Sequence, residues 1–353
     1  MDIGLDGVVA AETVLSHSDA VRAQLWLRGR PLEEIVRSFG FESTVALLWS
    51  GFAGDDLTGE QVLADLGAGR QRAFAYLDRW LPQIADRTLS EATRLCLAAI
   101  PDDSSPSEIA GALAVGVTAI LRFRKGLPPI APDPASATAA DFLRMMTGAA
   151  GAPAAVKALE TYFIVAAENG LGSSTFTARV VASTGATLSA SVLAAYCAFE
   201  GPLHGGAPGP VLAMLEEARA SGDIEAWLDR KLAAGERLAG FGNRAFPNGD
   251  PRADLLAQAV SKFGIAHARM AFVADFERRA LAALARHRPG KTLRPNLEIY
   301  AAVLLDACGI PRDAFTPTFA TARVAGWLAH AMEQQQTGRM IRPMSRYNGP
   351  ALS

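Results

Sequence analysis

The sequence predicts a mainly α-helical protein with one small β element near the N-terminus. Three observations carry that expectation. Apolar residues recur at helical spacing over several long segments. Strand-like runs are short and confined to the N-terminal end. Proline and glycine fall mostly between the periodic segments rather than inside them.

In chain order, Val8-Val9 with Thr13-Val14, and Gln24 to Leu27 ahead of Gly29, read as the strands. Pro101 to Pro106 and Pro128 to Pro134 read as surface loops. The second runs on into a low-complexity mix of Ala, Ser and Thr and is expected to be mobile. From Val181, the positions Thr184, Leu188, Val192, Ala195 and Phe199 keep roughly helical spacing, so one face can be buried throughout. Small residues such as Ala182, Ser183, Gly185 and Ala186 let another helix pack closely there. Asp254 to Leu284 predicts a further long helix whose one weak point is Gly264. Pro317 to Gln336 predicts the last, with Pro317 in its first turn and Gly338 at its end.

A chain of 353 residues has room for a large core and one or two domains. Half the residues are hydrophobic, 20% are charged and the net charge is −2, an ordinary enzyme composition with no electrostatic footprint for nucleic acid. Ile109 to Leu121 is apolar but shorter than the roughly 20 residues that span a bilayer. Val180 to Phe199 is longer, but Ser183, Thr184, Gly185, Thr187, Ser189 and Ser191 interrupt it, which fits a buried core helix. No membrane association is expected. Asp2, Asp6 and Glu12 fall where a secretion signal needs a basic start and an apolar run. Cys96, Cys197 and Cys308 are far apart in apolar stretches, which predicts buried free thiols, a reducing cytoplasm and no metal site.

The most informative stretch is Gly201-Pro202-Leu203-His204-Gly205-Gly206-Ala207. Glycines permit close backbone approach to a ligand, and Pro202 stiffens the entry. An imidazole on such a turn suits an active site; the alternative is a helix-ending loop that happens to carry a histidine.

That stretch resembles the signature of the citrate synthase family, and the resemblance extends over nearly the whole chain. It takes in Gly4-Leu5-Asp6-Gly7-Val8-Val9, the run from Ser173 to Thr184, Gly240-Phe241-Gly242-Asn243-Arg244 with Asp250-Pro251-Arg252, and Phe315 to His330 with Ile341-Arg342-Pro343. It is weakest between about Asp55 and Ala150. The resemblance implies a two-domain helical fold, with a large domain of about 1–205 and 310–353 and a smaller one inserted at about 206–309. It implies an active site in the cleft between them and a dimer. It also implies joining of an acyl-CoA, acetyl or propionyl, to a 2-oxo acid such as oxaloacetate, followed by thioester hydrolysis. Coenzyme A enters as the substrate thioester, with no tightly bound cofactor and no metal.

On this resemblance His204 is the donor that stabilises the enol. Glu298, in Arg294-Pro295-Asn296-Leu297-Glu298, is the base. Most family members have aspartate there; glutamate keeps the carboxylate and adds one methylene. Arg252, Arg323 and Arg342 match the clamp for substrate carboxylates, a task suited to a planar, permanently charged fork. The arginine at the Arg342 position reaches into the partner subunit's site. Gly240, Phe241 and Gly242 match a loop that holds the CoA adenine through its backbone. Arg244 is a candidate for the phosphates, and Pro247 stands where the family often has lysine.

Two positions depart from the pattern. Asn243 and Asn169 stand where the family has histidines, the first contacting the ketone oxygen and the second the oxo acid's carboxylate. An asparagine amide still donates a hydrogen bond, but it carries no charge and delivers no proton near neutral pH. Two readings follow. One is a condensing enzyme with an altered 2-oxo acid side, in which Asn243 holds the ketone as a neutral donor. The other is a weak or inactive homologue serving as a regulatory or partner subunit, paired as a heterodimer with an active homologue.

Overall fold

The computed structural model describes residues 4–5, 7–205, 208–243, 245–264 and 267–350. Its helices are α1 Leu32–Ser38, α2 Phe41–Trp49, α3 Gly59–Phe74, α4 Leu77–Trp80, α5 Leu89–Ala98, α6 Pro106–Phe123, α7 Thr138–Thr147 and α8 Pro153–Ala167. They continue as α9 Ser173–Ala182, α10 Leu188–Phe199, α11 Pro208–Ala220, α12 Ile224–Ala233, α13 Pro251–Phe263, α14 His267–His287, α15 Leu297–Ala307 and α16 Phe315–Thr337. The expected mainly helical class holds.

The β element is a three-stranded antiparallel sheet, β1 Ser16–Asp19, β2 Gln24–Leu27 and β3 Arg30–Pro31, in the order β1-β2-β3. Gln24 to Leu27 is a strand as expected, but its partner is Ser16–Asp19, with Ser16 opposite Leu27. Val8, Val9, Thr13 and Val14 form no strand and are exposed. The physical reason is burial: Leu15, Leu25 and Leu27 face the core, so the pairing register follows them.

The core is built around α16, whose residues are almost all buried from Phe315 to Gln334 and which packs on α2, α6, α8, α9 and α10. It begins at Phe315, so Pro317 lies in the first turn, and Gly338 ends it in a left-handed conformation, φ 62°. Trp49 donates from Nε1 to the Ala325 carbonyl at 2.9 Å, tying α2 to its middle. Close packing of α3 on α6 depends on missing side chains: a Cβ at Gly69 would lie 2.2 Å from the Ser107 carbonyl oxygen, and one at Gly111 2.6 Å from the Arg70 nitrogen. Helix α6 is longer than its apolar run suggests. Over Pro106–Phe123 it is long and apolar enough to cross a bilayer, yet 83% of it is buried inside the protein, as in a core helix.

Four further expectations are corrected. The segment from Val181 to Phe199 is two elements, because Gly185 turns left-handed at φ 80° and Thr187 caps a fresh helix by accepting from the Ala190 N–H. The segment from Asp254 to Leu284 likewise divides at Gly264, φ 64°, into α13 and α14. Cys197 is exposed while Cys96 and Cys308 are buried, and all three are free thiols. The loop at Pro128 to Pro134 is held rather than loose. Arg70, buried and ion-paired with Asp141 at 2.8 Å, donates to the carbonyls of Asp133 at 3.1 Å and Ser136 at 2.7 Å.

Candidate active site

His204 sits in the turn after α10, and its place is fixed by the start of α9. Helix α9 has Gly172 at its N-cap, so no side chain there accepts the first free N–H groups. The His204 ring does so instead: the Ser174 N–H donates to Nε2 at 3.2 Å, and the Ser174 hydroxyl lies 2.8 Å from the same nitrogen. Trp327 of α16 donates its indole N–H to that hydroxyl at 3.1 Å. Phe199 meets the imidazole edge to face at 5.2 Å.

The tautomer follows from these contacts. A backbone N–H can only donate, so Nε2 is an acceptor and the ring proton lies on Nδ1. Burial and the nearby Arg323 charge depress the imidazole to about 4, so it is neutral at physiological pH. The turn itself depends on Gly205, where a Cβ would lie 2.6 Å from the Phe199 ring and 2.7 Å from its carbonyl oxygen. Gly205→Ala is expected to cost about 1–3 kcal/mol of stability, read as a shift of the urea midpoint. An unchanged midpoint would contradict the tight packing of this turn.

Glu298 occupies the first turn of α15, with Asn296 capping the helix by accepting from the Glu298 N–H at 3.0 Å. Burial pushes its carboxyl up to about 7 despite the opposing charge of Arg252. The Gly240–Asn243 loop is laced to the entry of α15. Gly242 donates to the Arg294 carbonyl at 2.8 Å, and Asn296 donates to the Gly240 carbonyl at 2.9 Å. Asn296 also donates from Nδ2 to the Gly242 carbonyl at 3.0 Å.

Asp250 organises the next group. Its buried carboxylate takes a two-pronged ion pair from Arg252, Nε at 2.9 Å and Nη2 at 2.8 Å. It also accepts from the Leu297 N–H at 3.2 Å and from Asn243 Nδ2 at 2.9 Å. Burial works to raise this carboxyl, but Arg252 holds it below its usual value. Asn243 is therefore turned towards Asp250, its Oδ1 accepts from the Ala245 N–H at 2.9 Å, and one amide proton is left over. Arg252 has only Nη1 uncommitted to Asp250.

Arg323, on α16, is buried and donates from Nε to the Ala166 carbonyl, while its Nη2 is buried without a partner. Burial lowers it to about 10, so it remains charged at neutral pH. Asn169 lies in the turn between α8 and α9 with its Oδ1 buried and unpartnered. The neighbouring Glu168 anchors that turn: it accepts from the Gly170 N–H at 2.6 Å, from Ser16 Oγ at 2.8 Å and from His330 Nε2 at 3.0 Å. Arg179 donates from Nε to the other ring nitrogen of His330 at 2.9 Å.

Of the residues expected from sequence, Arg252 at the start of α13, Glu298 at the start of α15 and Arg323 within α16 lie on helices that all pack against α8, and His204 is near enough to Arg323 to feel its charge. Arg342 is exposed on the segment after α16 and does not join them within this chain. Arg244 lies outside the described residues. Sequence reasoning missed the supports. Ser174 and Asp250 lay inside the quoted motifs, but only three-dimensional pairing gives them their tasks. No cluster of histidine, cysteine and acidic residues able to hold a metal occurs among the described residues.

The profile described as "Citrate synthase, C-terminal domain" matches residues 4–344. The citrate synthase of Haloferax volcanii is 33% identical over 98% of this chain and 95% of its own length. The 2-methylcitrate synthase 2 of Corynebacterium glutamicum is 32% identical over 98% of this chain and 94% of its own. The crystal structure of citrate synthase from Thermotoga maritima superposes with a TM-score of 0.88 at 29% identity, covering 100% of this chain and 97% of that one. A likeness that runs from the N-terminal sheet to the segment after α16, at this identity, settles the question of descent: the chain belongs to the citrate synthase family.

Proposed function

We propose that the chain condenses an acyl-CoA with a 2-oxo acid such as oxaloacetate and then hydrolyses the thioester. The observation that carries this reading is a His204 ring locked by Ser174 with its proton on Nδ1, together with the Glu298 carboxyl at the capped start of α15, the imidazole lowered to about 4 and the carboxyl raised to about 7. The Glu298 carboxylate removes a proton from the carbon next to the thioester. The Nδ1–H of His204 donates to the thioester oxygen as negative charge develops there. The resulting enol attacks the ketone of the oxo acid. Arg323, through its free Nη2, and Arg252, through Nη1, hold substrate carboxylates; Asn169 borders the same side. Asn243 braces the loop through Asp250 and offers its remaining amide proton to the ketone.

The backbone of Gly240, Phe241 and Gly242 receives the CoA adenine, and Arg244 is the candidate by sequence for its phosphates. The cleft lies between residues 1–205 with 310–353 and the inserted 206–309. A homodimer, with Arg342 supplied from the partner subunit, suits the exposure of that residue. Three free thiols suit a cytoplasmic location. The test is thiol release from acetyl-CoA or propionyl-CoA across a panel of 2-oxo acids. Turnover with at least one pair is expected, and its absence from well-folded protein would sink the reading.

A second reading draws on Asn243 and Arg252, both largely committed to Asp250. It makes the chain a weakly active partner of an active homologue. Purification from the source separates the two: a homodimer with its own turnover excludes the second.

A further inference from the structure

The cluster holds one group that none of the expected roles uses. Tyr162, on α8, is fully buried, and its hydroxyl has no hydrogen-bond partner. A buried hydroxyl without a partner is uncommon in a native protein and destabilising by itself. Its placement is central. Helix α8 packs against α13, α15 and α16, which carry Arg252, Glu298 and Arg323 respectively. The Tyr162 ring lies 6.0 Å from Phe319, and the Arg323 guanidinium lies over that same Phe319 ring at 5.2 Å. Arg323 Nε is tied to the Ala166 carbonyl, one turn along α8 from Tyr162. Phe319 in turn stacks edge to face on Phe199 at 4.9 Å, and Phe199 packs on His204.

Two buried donors are therefore unsatisfied, the Tyr162 hydroxyl and Arg323 Nη2, and the two residues are close enough for the charge of one to act on the other. A carboxylate offers two oxygens and about four lone-pair sites, so a single carboxylate between them would satisfy both. Resting on the condensation reading above, we propose that Tyr162 is a substrate-binding residue, the neutral second donor to the oxo-acid carboxylate held by Arg323. Burial raises the phenol, with Arg323, Glu298 and Arg252 all near enough to act on it, so it keeps its proton and has it to donate.

Tyr162→Phe removes the hydroxyl and keeps the ring. The variant is expected to raise KM for oxaloacetate by about 10- to 100-fold, the loss typical of one hydrogen bond to a charged group. KM for acetyl-CoA and kcat should stay within about twofold. Without ligand the variant should melt no lower than wild type, since the hydroxyl has no protein partner to lose. Oxaloacetate should raise the melting midpoint of wild type and do so much less in the variant. In an enzyme that turns over, unchanged KM and an unchanged oxaloacetate shift in Tyr162→Phe overturn this assignment alone. Absence of turnover and of any oxaloacetate shift in wild type overturns the condensation reading and this assignment with it.

Discussion

Replacing Glu298 by glutamine is expected to lower the rate of proton removal from the acyl-CoA by about 10²–10⁴, the range supplied by a positioned general base. Glutamine keeps the length and the polar end but accepts no proton. The clean measurement is deuterium exchange into the acyl-CoA carbon without any oxo acid, because it isolates this half of the reaction. Exchange that proceeds at the wild-type rate in Glu298→Gln removes Glu298 from the role of base.

The pH dependence of the same group has a definite sign. Only the carboxylate accepts the proton, so kcat/KM should rise with pH through about 7 and level off above it. Stability runs the other way. The carboxyl is raised from 4.5 to about 7, so between those values the folded chain holds a proton that the unfolded chain has released. Its contribution is fully present below the unfolded value and is lost as pH rises through the folded one. Glu298→Gln carries no such penalty, so its melting midpoint should gain on wild type between pH 5 and pH 8. On the condensation reading the carboxylate that serves as base is thus also the strained one, a common cost of placing a base in a desolvated site.

What could be read in the sequence divides along the distance over which each feature is determined. Helix α16 was legible because its signals are local: Pro317 in the first turn and Gly338 at the end. The break between α9 and α10 was not. The apolar spacing from Thr184 to Phe199 stays helical, while the stop is made by one left-handed glycine and the cap at Thr187. The strand pairing failed for a related reason. Val8 and Val9 have the residue type of a strand, but Leu15, Leu25 and Leu27 have the core, and burial decided. In the candidate site, His204 and Glu298 were suggested by motif. The state of each was not, because it depends on groups distant in the chain. Ser174 lies 30 residues from the imidazole it locks, and Asp250 lies 47 from the Leu297 N–H it accepts. The orientation of Asn243 is the sharpest case: its identity was plain, and only the fold turns it towards Asp250.

The second large effect concerns His204, and it separates two tasks carried by one ring. Nε2 closes the start of α9, while Nδ1–H is the donor that the condensation reading assigns to the thioester oxygen. His204→Gln can place a side-chain oxygen near the Nε2 position, so it should still accept from the Ser174 N–H and fold normally. It lacks a donor at the Nδ1 position, so deuterium exchange should fall by about 10²–10³, the cost of one donor to a developing oxyanion. His204→Asn has the opposite character. Its shorter amide reaches the Nδ1 position but not Nε2. It should therefore keep more exchange activity than the glutamine variant while losing about 1–3 kcal/mol of stability, because the Ser174 N–H is left unpaired. The imidazole, held at about 4 against an ordinary 6.5, adds a pH signature. The folded chain resists a proton that the unfolded chain accepts, so its contribution to stability is present above 6.5 and is lost as pH falls through about 4. Both variants should flatten that acid limb relative to wild type. If glutamine and asparagine prove equally active and equally stable, the two nitrogens do not have separate tasks, and the tautomer assigned from Ser174 is wrong.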